Sequence, residues 1–279
     1  MKIAVDAMGG DYGPAVVVEG AVAASREFGV TVALVGDRAA IEREVARLDA
    51  DPGAVEIRHA SQVVGMAESP SQALRRKRDS SLRVAAQLVR DGEASAFISA
   101  GNTGAAMAIA MFIVGVLPGV DRPAIAAVLP NHKRFTVLLD AGANVDPKPW
   151  HLLQFAVMGH VYARDILGYD NPRVGLLSVG EEEGKGTELT RDGRSKIGAA
   201  LAQPAFERFR KRIDYTEMGG APLLGIDGAA IICHGSSPVK AIKNAVRVAA
   251  EWAKAGVNDH IRAALEAEVA RGGREGTRE

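Results

Sequence analysis

Length, composition and charge limit the classes of protein to which this sequence can belong. Of its 279 residues, 47% are hydrophobic and 24% are charged, which suffices for a core in one or two domains and excludes global disorder. Lys plus Arg number 34, as do Asp plus Glu, so the net charge is zero and no overall basic field favours nucleic acid. No window approaches the ~18 apolar residues of a membrane-spanning helix, and a Gly-rich turn stands where a signal peptide needs an apolar stretch.

The cysteine content agrees with a reducing compartment. Cys233 is the single cysteine, so an internal disulfide is excluded, and it lies in an apolar run where a free thiol behaves as a small buried hydrophobe. The sequence therefore predicts a cytoplasmic protein, while attachment to a membrane surface stays open.

Short apolar runs rich in β-branched residues alternate with longer helical patterns along the chain. This alternation is typical of parallel βα units, and most of the runs are apolar throughout, which indicates a sheet covered on both faces. The predicted strands cover residues 2–7, 31–36, 55–59, 94–99, 124–129, 135–140, 173–178 and 229–233. We therefore predict a three-layer α/β/α fold with a mostly parallel, Rossmann-like sheet.

The helical patterns lie between these strands, and several begin with Pro or another residue that favours a helix start. The predicted helices cover residues 14–28, 39–48, 71–90, 103–114, 149–166, 195–213 and 238–269. The helix 195–213 interrupts the alternation and precedes an irregular stretch at 214–228. We predict one α/β domain over residues 1–279, with 195–213 as a projecting helical element.

Polar, Gly-rich loops follow five of the predicted strands, with the sequences MGGDYGP, SAGNTG, DAGANVD, SVGEEEGKG and CHGSS. In a doubly wound sheet the carboxyl ends of parallel strands share one edge, so we expect these loops to meet in one crevice. Backbone N–H groups and helix starts there would bind an anion. Any single loop is explained by chain turning alone, but five together favour a site for a phosphate or for developing negative charge.

Known nucleotide motifs do not explain these loops. The segment Gly180 to Thr187 is one residue short of a Walker A loop and carries three carboxylates, and no G-x-G-x-x-G follows a predicted strand. Lys185 is the cation that stands out, because a Lys in a Gly-flanked loop at the crevice can neutralise a phosphate. Pairing with the neighbouring glutamates explains it equally well.

Other candidate residues have simpler explanations beside the functional ones. The carboxylates Asp6, Asp11, Asp140 and Asp146 suit metal ligands, but Asp after a strand more often caps a helix. His234 stands beside two serines without the G-x-S-x-G of a nucleophile elbow, and the histidines lack zinc spacing, so no metal is predicted. The basic run 75–78 is either a solvated helix face or a docking site for an acidic partner.

Longer motifs give the sequence a specific resemblance. They are MKIAVDAMGGDYGP, SAGNTGA, GVDRPAIAAVLP, DAGANVDPKP, VGLLSVG, GKGTELT, YTEMGGAPLLG and HGSS. With these motifs the chain resembles the PlsX family of phosphate acyltransferases from residue 1 to about residue 269.

The resemblance implies a fold related to phosphotransacetylases and isopropylmalate dehydrogenases, and a reaction that converts acyl carrier protein thioesters and orthophosphate to acyl phosphate for phospholipid synthesis. It also implies a homodimer that touches the inner face of the cell membrane near the acyltransferase that acylates glycerol 3-phosphate, and no cofactor. Lys185 would be the catalytic residue. The residues implied to bind substrate are Asp6, Gly9, Gly10, Ser99, Gly101, Asn102, Thr103, Asp140, Asn144, Gly186 and His234.

One departure from the family pattern bears on activity. Between Thr190 and Ser195, family members carry a further strand, a DGFTGN loop and the first helix of a hairpin, whereas here only residues 191–194 intervene. Either the segment is deleted or the numbering closes over an omitted stretch. The second explanation is favoured, because losing an interior strand would expose a sheet edge. A true deletion predicts an inactive, poorly stable protein.

Two alternative functions stay open. One is a Mg-dependent dehydrogenase of the related fold, with Asp140 and Asp146 as metal ligands. The other is a non-catalytic adaptor that binds membrane or carrier protein after loss of the DGFTGN segment.

Overall fold

A computed structural model of the chain describes residues 1–50, 53–140, 144, 147–176 and 215–275. Eight strands form one sheet in the order β3-β2-β1-β4-β8-β7-β5-β6. The strands are β1 Lys2–Asp6, β2 Thr31–Gly36, β3 Glu56–His59, β4 Ala96–Ser99, β5 Ala124–Pro130, β6 Phe135–Leu139, β7 Ala221–Leu224 and β8 Ala230–Ile232. Strands β3, β2, β1, β4 and β8 are mutually parallel, which confirms a mostly parallel α/β sheet.

The helices are α1 Gly13–Phe28, α2 Arg38–Arg47, α3 Pro70–Arg76, α4 Ser81–Arg90, α5 Thr103–Ile109, α6 Pro149–Asp165, α7 Tyr215–Met218, α8 Val239–Ala255 and α9 Val257–Glu275, and a π-turn at Ala110–Val114 continues α5. No helix in the described ranges has both the length and the apolar character that crossing a bilayer requires.

The sheet separates two hydrophobic clusters, one on each face. Along β1, Ile3 and Val5 point into one cluster while Ala4 points into the other, as the two-residue period of a strand requires. The first cluster receives buried residues from α1, α2, α6, α8 and α9, and the second from α3, α4 and α5. Helices thus cover both faces, and the polar loops are left at the edges of the sheet.

The predicted helix 71–90 is wrong, because the structure breaks it into α3 and α4 at residues 77–80. The Ser80 side chain caps α4 by accepting from the Arg83 N–H, and the Asp79 carboxylate accepts from Ser61. Asp and Ser bond to nearby backbone in this way at helix starts, so a cap competes with a helix interior here. The predicted helix 238–269 likewise divides at Gly256, which has φ +62°.

Two strand predictions also differ from the structure. Residues 173–176 form no strand, and 177–178 lie outside the described residues. Strand β7 lies within the stretch predicted to be irregular, where Pro222 argues against a strand. Its first two residues pair with β8 and its last two with β5, so two short ladders hold the strand in the sheet.

The antiparallel strands decide which loops share an edge. Strand β7 is antiparallel to β8 and to β5, so β5 runs with the parallel strands, while β6 is antiparallel to β5 and runs against them. The carboxyl end of β6 therefore lies at the edge opposite to the carboxyl ends of β1, β4 and β8.

Candidate active site

Three polar loops meet where β1, β4 and β8 end. The Asp11 N–H donates to the Gly235 carbonyl at 2.8 Å, which joins the first loop to the last. Gly10, with φ +99°, has space only for hydrogen: an added Cβ would lie 3.1 Å from the Gly235 oxygen and 3.3 Å from Ala100 Cβ. The loops after β1, β4 and β8 are therefore packed backbone to backbone at one edge, as the sequence predicted for these three.

Asp6 lies at the centre of this packing and is only 3% exposed. Its Oδ2 accepts from the Ser99 hydroxyl at 2.7 Å, and its Oδ1 accepts from the Met8 N–H at 3.3 Å. Burial raises the pKa of Asp6, while hydrogen bonds from the Ser81 and Ser99 hydroxyls and from the Met8 and Gly9 N–H groups oppose the rise. The carboxyl group therefore ties two strand ends to helix α4 and does not face a ligand.

Ser99 relays this contact to the next loop. The Gly101 N–H donates to Ser99 Oγ at 3.0 Å, so the hydroxyl proton is left to donate to Asp6. Ser99 is 1% exposed, and its position at the end of β4 holds Gly101 against Gly9. Ser99 and Gly101 thus fix the position of the loop that precedes α5.

The close approach of Gly9 to Gly101 gives a first prediction. A Cβ on Gly9 would lie 2.8 Å from both Asp6 Oδ2 and the Gly101 nitrogen, distances that require the two loops to separate. Gly9→Ala is expected to lower the free energy of unfolding by about 2 kcal/mol, as overpacking of a tight site does. Urea denaturation at neutral pH measures this loss.

Gly13→Ala is the matched control, because Gly13 begins α1 directly after the same loop, and an added Cβ there meets nothing within 4 Å. Its φ of +58° favours glycine over alanine, so the variant is expected to lose about 1 kcal/mol of unfolding free energy. Equal losses for the two variants would contradict the packing of Gly9 against Gly101.

Asn102 is a structural residue in this arrangement. Its Oδ1 accepts from the Ala105 N–H at 2.9 Å and caps α5, while its Nδ2 donates to the carbonyls of Gly65, Met66 and Glu68 at 2.8 to 3.3 Å. The family resemblance implies that Asn102 binds substrate, whereas here both of its polar atoms are bonded within the protein. Asn102 instead fastens the loop 65–68 to the start of α5.

His234 and Thr103 face outward at the same edge. The Ser236 N–H donates to His234 Nδ1 at 3.2 Å, so a neutral ring carries its proton on Nε2, and the side chain is exposed. Thr103 is exposed at the first turn of α5. Within the described part of the chain, the N–H groups of Thr103 and Gly104 have no acceptor. The edge therefore presents a histidine donor, a hydroxyl and two backbone donors.

The cysteine next to His234 takes no part in such chemistry. Cys233 is 2% exposed, and burial raises the pKa of its thiol to about 12. A thiol of this kind stays protonated at neutral pH and is a poor nucleophile.

Asp140 and Asn144 do not join this edge, and the expectation that the DAGANVD loop meets the other loops is wrong. The loop follows β6, which runs in the reverse direction, and Asn144 Nδ2 donates to the carbonyl of Pro123 just before β5. Asp140 has φ +59°, and its two carboxylate oxygens accept from the side-chain and backbone N–H groups of Asn144. The pair closes a turn at the opposite edge.

Lys185 and Gly186 lie outside the described residues, as do Asp146 and the helix predicted at 195–213. The structure gives these residues no position relative to the edge.

Two residues at the site escaped sequence reasoning. The Ser81 hydroxyl bonds to Asp6, and Met66 comes so close to Gly235 that an added Cβ there would lie 2.7 Å from Met66 Cε. The run Asp79-Ser80-Ser81 is a helix-start signal that could have revealed Ser81. Met66 belongs to a long irregular connection, for which the sequence carries no periodic signal.

Comparison with known proteins identifies the chain. A family model described as fatty acid synthesis protein matches residues 1–194 and again 188–260. The phosphate acyltransferase of Geotalea uraniireducens is 47% identical, with 94% of this chain and 93% of the relative covered. That of Pelotomaculum thermopropionicum is 47% identical, with 95% of each covered.

The alignments contain more positions than this chain supplies. The Geotalea alignment runs over 322 positions, whereas 94% of 279 residues is about 262, so about 60 positions of the relative have no counterpart here.

Solved structures agree with the fold. A phosphotransacetylase from Streptococcus pyogenes superimposes with a TM-score of 0.65 at 16% identity, covering 91% of this chain and 94% of that one. EutD phosphotransacetylase from Staphylococcus aureus gives a TM-score of 0.60 at 17% identity with the same coverage. From the family match and the near full-length identity to its members, the chain belongs to the PlsX family of phosphate acyltransferases.

Proposed function

We propose that the chain transfers a fatty acyl group from acyl carrier protein to orthophosphate and releases an acyl phosphate for phospholipid synthesis. A phosphate oxygen attacks the thioester carbonyl carbon, a C–O bond forms, the C–S bond breaks, and the departing thiolate takes up a proton. Phosphate is a competent nucleophile near neutral pH, so the protein has to position it and stabilise the oxyanion.

The observation that carries the proposal is the meeting of three loops at one sheet edge with donors facing outward. His234 Nε2 and the N–H groups of Thr103 and Gly104 would donate hydrogen bonds to phosphate oxygens or to the developing oxyanion. Gly9 and Gly10 keep the backbone of the first loop close to the other two. Asp6, Ser99, Gly101 and Asn102 would act by holding these loops in place.

We further propose that Lys185 and Gly186 of the GKG motif complete this site. The support for this step is the family motif, together with the capacity of a Lys in a Gly-flanked loop to neutralise a phosphate. Membership of the family also supports a homodimer and contact with the inner face of the cell membrane as proposals for this chain.

Release of the carrier thiol tests the proposed reaction. A thiol reagent measures the rate at which free carrier protein is released. This rate is expected to rise with the orthophosphate concentration, and sulfate at equal ionic strength is the control. Equal rates in the two anions would contradict the proposal. Mg²⁺-dependent reduction of a nicotinamide cofactor, without thiol release, would indicate the dehydrogenase alternative.

A second function is favoured by one observation, the gap of about 60 positions in the alignment together with the division of the family match near residues 188–194. A chain deleted there would bind carrier protein without turnover. The intact mass separates the two cases. A mass of 29.3 kDa together with no thiol release supports the non-catalytic adaptor, and thiol release at this mass overturns it.

A further inference from the structure

The segment 61–83 carries an excess of positive charge beside the candidate active site. Residues 65–83 contain five basic and two acidic residues, although the whole chain is neutral; the basic residues are Arg75, Arg76, Lys77, Arg78 and Arg83, and the acidic ones are Glu68 and Asp79. A local excess of one charge in a neutral protein marks a surface that attracts an oppositely charged partner.

Some basic side chains of this segment are bonded within the protein, and others are not. Lys77 Nζ bonds to Glu68 and to the Val63 carbonyl, each at 2.5 Å, and Arg83 donates to the Leu74 carbonyl. Arg75, Arg76 and Arg78 are exposed, and their side chains have no ion pair or hydrogen bond to any described residue. These three residues form what we call the arginine surface.

Hydrogen bonds fix the two ends of the segment that carries the arginine surface. The Gln62 N–H donates to the Asp79 carbonyl, the Asp79 N–H donates to Gln62 Oε1, and the Ser81 N–H donates to the Gln62 carbonyl. The Asp79 carboxylate accepts from the Ser61 N–H and hydroxyl. The segment 61–80 therefore closes on itself before α4 begins. A backbone that is already fixed loses little conformational entropy when a partner binds, so the ordering cost falls on the Arg side chains.

The arginine surface is also joined to the candidate active site. Asn102 bonds to the carbonyls of the loop 65–68, and an added Cβ on Gly104 would lie 2.8 Å from Pro70, the first residue of α3. Helix α3 then rises over its seven residues by about 10 Å to Arg76. The surface thus stands beside the edge that carries His234 and Thr103, at a distance that a long flexible arm can bridge.

Apolar side chains lie in the same segment. Val63 is 40% exposed and Met66 45% exposed, the latter touching the loop of Gly235. Isolated apolar residues among arginines are typical of the interface between two proteins, where Arg and Met are enriched. A membrane-binding helix would instead present a continuous apolar face.

We propose that the arginine surface docks the acidic carrier protein that delivers the acyl group, so that its prosthetic arm reaches the edge at His234. This inference rests on the proposed function, since it names the surface by which that same site receives its substrate. Arg75, Arg76 and Arg78 would contact carboxylates on the carrier, and Val63 and Met66 would pack against its apolar residues.

The test compares two variants of equal charge. Arg75→Glu/Arg78→Glu changes the arginine surface, and Lys133→Glu/Lys254→Glu changes two exposed lysines elsewhere by the same four units of charge. Affinity for purified acyl carrier protein bearing a hexadecanoyl thioester is measured at low and moderate salt. The arginine variant is expected to bind about tenfold or more weakly than wild type and to lose most of the salt dependence, while the lysine variant stays near wild type.

Equal affinities of the two variants would overturn the docking proposal. So would an arginine variant that loses binding to anionic phospholipid vesicles but keeps carrier binding, because the surface would then contact membrane. Turnover of a small hexadecanoyl thioester lacking the carrier separates this outcome from failure of the proposed function. The arginine variant is expected to retain that turnover. If wild type itself shows no turnover, the proposed function is contradicted, and the docking proposal is decided by the binding measurements alone.

Discussion

Replacement of Lys185 by Ala is expected to lower kcat for acyl phosphate formation by about 10²- to 10³-fold, the usual effect of removing one group that stabilises the transition-state charge. The reaction brings a phosphate anion to a carbonyl that itself becomes an oxyanion, so a nearby cation stabilises both. Steady-state kinetics with acyl carrier protein and orthophosphate measure the loss. The free energy of unfolding is expected to stay within about 0.5 kcal/mol of wild type, as is usual for a polar residue in a Gly-rich, polar stretch of sequence.

Two further variants make this prediction specific. Lys185→Arg keeps the charge but changes its geometry, so it should recover part of the lost rate. Lys196→Ala removes a lysine outside the GKG motif and should leave the rate unchanged. A wild-type rate in Lys185→Ala would remove Lys185 from the mechanism.

Replacement of Asp6 by Ala is expected to lower the free energy of unfolding by about 3 kcal/mol, because it leaves buried donors without an acceptor. The Ser99 hydroxyl and the Met8 N–H both donate to this carboxyl group. The three loops would separate, so activity should fall together with stability. Urea denaturation and steady-state kinetics measure the two effects.

Asp37→Ala is the control for Asp6→Ala, since Asp37 follows the neighbouring strand β2 but is exposed. Its side chain caps α2 through the Ala40 N–H, and its loss should cost about 1 kcal/mol. A loss for Asp6 no larger than that for Asp37 would contradict the central position of Asp6.

The raised pKa of Asp6 also predicts how its contribution depends on pH. Burial raises the folded-state pKa above the unfolded value, so with rising pH the unfolded chain releases this proton first. The stability advantage of wild type over Asp6→Ala should therefore be largest below about pH 4, near the unfolded pKa, and should decrease as pH rises toward the folded pKa. Unfolding free energies of both proteins across this range measure the trend, and an advantage that grows with pH would contradict it.

The sequence revealed the central part of the fold because local signals agree there. The apolar runs of β1, β2, β4 and β8 are surrounded by helices on both faces, and their loops carry the glycines that close packing requires. Gly9 and Gly10 could be placed at the edge from the sequence because parallel strands fix where their carboxyl ends lie.

The opposite direction of β6 could not be read from the sequence. A short apolar run does not reveal in which direction its strand lies in the sheet, because direction is decided by pairing with residues distant in the chain. The misplacement of Asp140 and Asn144 follows from this single ambiguity. The bonds of Asn102 to the loop 65–68 could not be read from the sequence either, because they arise only in the folded chain.

Transfer of ¹⁸O into the product shows whether phosphate is the nucleophile. The chain, with its intact mass verified, is incubated with hexadecanoyl acyl carrier protein and orthophosphate labelled with ¹⁸O at every oxygen, and the product is analysed by mass spectrometry. We expect an acyl phosphate that retains all of the labelled oxygens, because phosphate is the proposed nucleophile. Unlabelled fatty acid as the sole product, or no product, would contradict it.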